Sequence, residues 1–81
     1  MKIVAKVKQK PVRDIFIETE FIRLDSALKL ADAVQSGGHA KVIIQKGEVK
    51  VNGETCELRG KKLHVGDEIG LSHLIIKVNQ K

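Results

Sequence analysis

Tryptophan and tyrosine are absent from the 81 residues, and Phe16 and Phe21 are the only aromatics. Stacking of unpaired bases on rows of rings therefore has little to work with. Cys56 is the single cysteine, so an intramolecular disulfide and a small Cys-rich zinc module are both excluded, and a reducing compartment fits best. His39, His64 and His73 are separated by 25 and 9 residues; with Cys56 they match no compact ligand motif, and no metal or other cofactor is expected. No run approaches the roughly 20 apolar residues of a membrane helix, and the first residues lack an apolar signal stretch. A cytoplasmic protein with no membrane partner is the expectation. Low-complexity segments, internal repeats and linkers are also missing, and 81 residues leave room for one domain, 1–81, with no separate catalytic domain. Neither an enzyme nor a small-molecule substrate is expected.

What the chain does have is positive charge. Fifteen Lys and Arg against ten Asp and Glu give +5, a balance that favours anionic partners such as nucleic acid. The excess lies at the two ends: residues 1–24 carry six basic and three acidic groups, 25–60 five and five, and 61–81 four and two. The apolar 42% is mostly Ile, Val, Leu and Ala, enough for a modest core.

Hydropathy patterning divides the chain into short elements. Lys2, Lys6 and Lys8 alternate with Ile3, Ala5 and Val7 as in a half-buried strand; Pro11 interrupts it, and Val12 to Glu18 offers a second strand, so that residues 2–18 read as a hairpin. From Leu24 the period changes: Leu24, Ala27, Leu28 and Ala31 predict an amphipathic helix, capped by Asp25 or Ser26 and ended by Gly37-Gly38. Ala40, Ile43 and Ile44 predict a second short helix that stops at Gly47. Glu48 to Val51 followed by Asn52-Gly53 is a type I′ hairpin signal, with Val51 opposite Glu54 and Val49 opposite Cys56. Cys56 thus reads as a small core residue. Arg59 to Lys62 makes a basic turn, Leu63 and Val65 return to the core, Gly66-Asp67 turns again, and Ile69 to Val78 forms one or two strands.

Arg23-Leu24-Asp25, Leu28, Ser36-Gly37-Gly38-His39-Ala40-Lys41, Gly47 to Glu54 and Val65-Gly66-Asp67-Glu68-Ile69, in this order and spacing, resemble the S4 RNA-binding domain, and among its members the small stand-alone bacterial proteins of the YbcJ/YaaA type. The resemblance implies an α+β fold in which two short helices, the αL motif, pack on a small, mostly antiparallel sheet. Residues 22–78 would form this core, and residues 1–20 would add the N-terminal strands or β-hairpin. It also implies RNA binding without catalysis. One departure is that Ser36 is followed by Gly37 where a common S4 form has arginine, so that guanidinium contact is missing.

The residues themselves are compatible with this reading. A helix N-terminus presents unpaired N–H groups and partial positive charge, and glycines allow close approach, so Ser36 to Lys41 reads as a phosphate seat. The candidate RNA-binding residues are Arg23, Lys29, Ser36, Gly37, Gly38, His39, Lys41, Lys46, Lys50, Asn52, Arg59, Lys61 and Lys62. The expected partner is structured RNA, ribosomal or tRNA-like, recognised through phosphates, 2′-hydroxyls and shape, by a monomer. Two alternatives compete with it. A β-grasp or ubiquitin-like carrier would share the short sheet, but this chain ends Val78-Asn79-Gln80-Lys81 without a C-terminal Gly-Gly. A protein-interaction module would turn the basic face to an acidic protein.

Overall fold

A computed structural model of the protein describes residues 10–81. Strand β1 (Val12–Ile17) and the short β2 (Ile22–Arg23) lead into helix α1 (Leu24–Leu30) and helix α2 (Gly37–Gln45). Five strands follow: β3 (Lys50–Val51), β4 (Glu54–Thr55), β5 (Lys62–Leu63), β6 (Glu68–Gly70) and β7 (Ile75–Gln80). The main sheet has the order β1-β7-β6-β3-β4, and β2 pairs with β5 as a separate ribbon. The fold is α+β as the sequence indicates, and every pairing is antiparallel except β1 with β7.

That exception changes the reading of the N-terminal segment. β1 runs parallel to β7 along its whole length, from Val12 opposite Ile75 to Ile17 opposite Gln80. Its partner among the described residues is therefore the C-terminal strand, and the proposed first hairpin strand, apart from Lys10, lies outside the described residues. Alternation along β1 turns Ile15 and Ile17 into the core while Val12, Asp14 and Phe16 face solvent. Ile76 and Val78 of β7, Ile69 of β6 and Val51 of β3 join the same core. Leu24, Ala27 and Leu28 of α1 and Ala40 and Ile44 of α2 cover it from the helical side. At about 25 cal/mol per Å² of apolar surface, a side chain such as Leu28, fully buried, contributes about 2 kcal/mol.

The helix boundaries differ from the expectation in an instructive way. α1 ends at Leu30, not at the glycine pair: the N–H of Asp32 donates to Lys29 O (2.9 Å) and that of Ala33 to Leu28 O (2.9 Å), the two bonds of a Schellman terminus. Asp32 occupies the left-handed position (φ 61°) that glycine usually takes. α2 ends on the same pair of bonds, Gly47 N–H to Ile44 O and Glu48 N–H to Ile43 O, with Gly47 at φ 77°. Gly37 and Gly38 instead open α2, behind Ser36, whose Oγ accepts the His39 N–H at 3.1 Å.

The Asn52-Gly53 turn is as read, with positive φ at both residues (51° and 89°), Val51 opposite Glu54 and the Cys56 N–H on Val49 O at 2.9 Å. Cys56 is half-buried against the core rather than enclosed in it. Leu63 is fully buried, whereas Val65 is exposed, since it follows β5 into the turn that Asp67 closes. The C-terminal segment forms two strands, β6 and β7. No helix among the described residues is long and apolar enough to cross a membrane.

Candidate nucleic-acid interface

The basic turn is built onto the start of α1. β2 and β5 pair so that Ile22 meets Leu63 and Arg23 meets Lys62; side chains directly opposite share a face, so the buried Leu63 sends Lys62 and Arg23 outward together. The turn closes through the Lys61 N–H on Leu58 O (3.1 Å). It then offers two carbonyls to the helix: the Leu24 N–H donates to Lys61 O (2.8 Å) and the Asp25 N–H to Arg59 O (3.2 Å). Two of the N–H groups that a helix start leaves unpaired are thus satisfied by the basic turn itself.

Asp25 is not the cap that its sequence position suggests. Arg23 holds the N-cap position without a side-chain cap bond, and Asp25 sits in the first turn with its Oδ1 accepting the Ser26 N–H at 2.8 Å. Its carboxylate gathers the arginines. Arg23 Nε and Nη2 donate to Oδ1 and Oδ2, both at 3.2 Å, and Arg59 Nε stands 3.8 Å from Oδ2. Lys62 Nζ lies 4.9 Å from the centre of the Phe21 ring, a cation–π distance, and the His64 ring is 6.4 Å from Phe21. Arg23, Arg59, Lys61 and Lys62 are all exposed; Asp25 is the acid between the two arginines, while Lys61 and Lys62 border a cleft that also carries Glu54, Glu57 and Asp67.

Beside this cluster a cleft of about 570 Å³ runs between the β3–β4 hairpin and the segment from Lys61 to Asp67, lined by Asn52, Cys56, Lys61, Lys62 and His64 among others. Its rim is fixed by Asp67, which accepts the His64 N–H at 2.7 Å and an Asn52 Nδ2–H at 3.1 Å. The His64 amide, opposed by partial burial and helped by Asn52, holds the Asp67 carboxyl below the usual carboxylate range. The Asn52 carboxamide also accepts the Glu68 N–H at 2.9 Å, so both its ends are engaged in the turn.

The second group is the start of α2. Ser36, Gly38, His39 and Lys41 are exposed and Gly37 half-exposed. A Cβ at Gly37 would meet nothing within 4 Å, and one at Gly38 would meet only the Ser36 Oγ at 3.8 Å. Packing does not demand glycine at either position. The six residues 31–36 separate this group from the end of α1, while the basic turn is bonded to the beginning of α1.

The other sequence candidates are dispersed. Lys29 is exposed in the last turn of α1, and Lys46 is the C-cap of α2, at the far end of that helix from Ser36. Lys50 projects from the outer face of the sheet, between Gly70 and Thr55. Sequence reading overlooked Phe21 and the arginine-gathering role of Asp25. The signal for Phe21 was its parity with Arg23 across Ile22, visible only once residues 21–23 are recognised as extended.

Two comparisons place this architecture. The S4 domain family matches residues 15–79. A relative from Bacillus subtilis (strain 168), described as a probable ribosome maturation protein RlbA, is 53% identical over 55 residues, covering 68% of this chain and 78% of the relative. Across residues 15–79, which take in both helices and the basic turn between β4 and β5, this chain belongs to the S4 domain family.

Proposed function

We propose that the protein is a non-catalytic cytoplasmic module that binds structured RNA, ribosomal or tRNA-like, as a monomer and without a cofactor. The observation that carries the reading is the exposed cationic surface at the start of α1, where Arg23 and Arg59 meet on Asp25 and Lys61 and Lys62 continue the same turn into β5. Cations spread over the turn and the paired β2–β5 ribbon suit a run of phosphates better than any single small anion. The α2 start adds N–H groups and Lys41 as a second contact. Family membership supports RNA as the polyanion, and the name of the Bacillus relative, a probable ribosome maturation protein, supports a ribosomal context. The scarcity of exposed rings argues for recognition of shape and backbone over unpaired bases.

Affinity for refolded total ribosomal RNA and for unfractionated tRNA, titrated with salt, tests the reading. Neutralising about three to five phosphates gives a log–log slope of roughly −2 to −4. A flat titration, or equal affinity for an acidic protein, would remove the electrostatic basis of the proposal.

A further inference from the structure

We propose that Asp25 is a positioning residue for RNA recognition: its carboxylate holds the Arg23 and Arg59 guanidiniums as a preformed fork whose outward N–H edges receive a phosphate. This rests on the RNA-binding reading above and adds the group that orients its cations.

The exposures have the right order. The Asp25 side chain is only 15% exposed, while those of Arg23 and Arg59 are 52% and 47% exposed. The acid is therefore the inner anchor and the cations are the outer layer. Arg23 grips Asp25 side-on through Nε and Nη2. A guanidinium carries five N–H donors in a rigid plane, so this grip uses one edge and leaves the opposite edge, at Nη1, for a second oxyanion. Arg59 Nε at 3.8 Å is an ionic contact longer than a hydrogen bond, which leaves its donors available.

Asp25 is itself held from two directions. Its N–H donates to Arg59 O, and its Oδ1 accepts the Ser26 N–H, so the helix start fixes the carboxylate and ties residue 59 to it by backbone and side chain together. Two arginines on one acid leave positive charge in excess, and Lys62, opposite Arg23 on the β2–β5 ribbon, adds more on the same face. Without the carboxylate, two half-exposed arginines of like charge would separate and sample many rotamers. With it, the ordering that phosphate binding needs is made in the free protein.

Asp25→Asn tests the inference because the two accounts predict opposite signs. The substitution removes a negative charge, so a bulk-charge account expects tighter RNA binding. The fork account expects affinity for refolded ribosomal RNA and tRNA to fall about fivefold, with a salt slope shallower by the equivalent of about one phosphate. Asparagine keeps an Oδ1 for the Ser26 N–H, and thermal melting monitors the fold. Arg23→Lys is the second variant: it preserves net charge and lies outside the helix, but an ammonium cannot make the side-on grip, so a loss of similar size is expected. The double variant should lose little more than either single, since both break the same fork.

A folded Asp25→Asn protein that binds as tightly as the wild type or more tightly would overturn the inference, as would wild-type binding by Arg23→Lys. If the wild type itself shows no salt-dependent affinity for either RNA, the RNA-binding reading fails and takes the fork with it. Wild-type binding combined with tighter binding by Asp25→Asn sinks the fork alone.

Discussion

At the start of α1 the Leu24 and Asp25 N–H groups donate to the carbonyls of Lys61 and Arg59. At the start of α2 the Ser36 hydroxyl takes the His39 N–H, and among the described residues no acceptor reaches Gly37 or Gly38. The two helices end on the same hydrogen-bond pattern, so their beginnings are where they differ. In α1 the partial positive charge of the helix start is absorbed by the fold, and what faces outward is side-chain charge: Arg23, Arg59, Lys61 and Lys62. In α2 the backbone itself faces outward, and Lys41 is the only cation within the helix. One region offers side-chain cations that reach outward, the other short backbone amides, and these would suit the two parts of phosphate recognition, long-range attraction and close seating.

The strongest way to break this comparison is to reverse charge at Lys41 and Lys62 together. If both regions face the same RNA, affinity should fall well over tenfold, which is more than about 1.4 kcal/mol, with the fold intact because both side chains are exposed. Reversal at Lys2 and Lys81 changes net charge equally and serves as the control. Each single reversal then divides the loss between the regions, and a loss confined to Lys62 would leave α2 without a part in binding. Equal losses in the two double variants would reduce the whole surface to bulk charge.

A smaller effect separates the scaffold of the basic region from its charges. Asp67→Ala removes the acceptor of the His64 and Asn52 donors and should lower stability by about 1.5 kcal/mol. Because the Asp67 carboxyl is depressed in the folded protein, its stabilisation is complete above the unfolded pKa of about 3.9 and is lost as pH falls through the lower folded value. The stability gap between wild type and variant should therefore be constant from neutral pH to about pH 5 and narrow below about pH 4. Denaturant titrations across that range check it, and a gap that persists at pH 2 would mean the carboxylate is not its source.

Ser36→Ala probes the other region. It deprives α2 of its cap and should cost about 1 kcal/mol of stability, measurable as a lowered denaturation midpoint. If Ser36 also helps to seat a phosphate, RNA affinity per folded molecule falls as well; unchanged affinity would restrict it to capping.

How much of this is legible in the sequence depends on how local the cause is. The Asn52-Gly53 hairpin and its register were legible because the turn needs positive φ at two adjacent residues and Asn-Gly supplies it. The apolar face of α1 was legible from its period, and the basic turn from its composition. The pairing of β1 with β7 was not, because it joins residues 63 apart and nothing in either strand names its partner. Nor was the role of Asp25, since Arg59 meets it only after β2 has paired with β5. The end of α1 is hidden for a different reason: Gly37-Gly38 is the obvious stop signal in the sequence, whereas the residue in the left-handed stop position is Asp32.

That substitution of one residue type for another yields the smallest effect. Asp32 and Gly47 hold equivalent positions at the ends of α1 and α2, both left-handed. A non-glycine residue there is strained by about 1–2 kcal/mol, less for aspartate than for most. Asp32→Gly relieves this strain but gives the unfolded chain more freedom, which offsets about 0.5–1 kcal/mol. It also removes a negative charge from a helix C-terminus, where the macrodipole disfavours it. The balance is a gain of about 0.5 kcal/mol, seen as a rise in Tm of about 2–4 °C for a domain of this size. Asp32→Asn removes the charge while tolerating the same backbone, and Asp32→Ala removes the charge while keeping the strain. The expected order of stability is therefore Gly above Asn, with Ala at or below the wild type. If Ala matches Gly, the gain is electrostatic, and the left-handed residue is not what limits the end of α1.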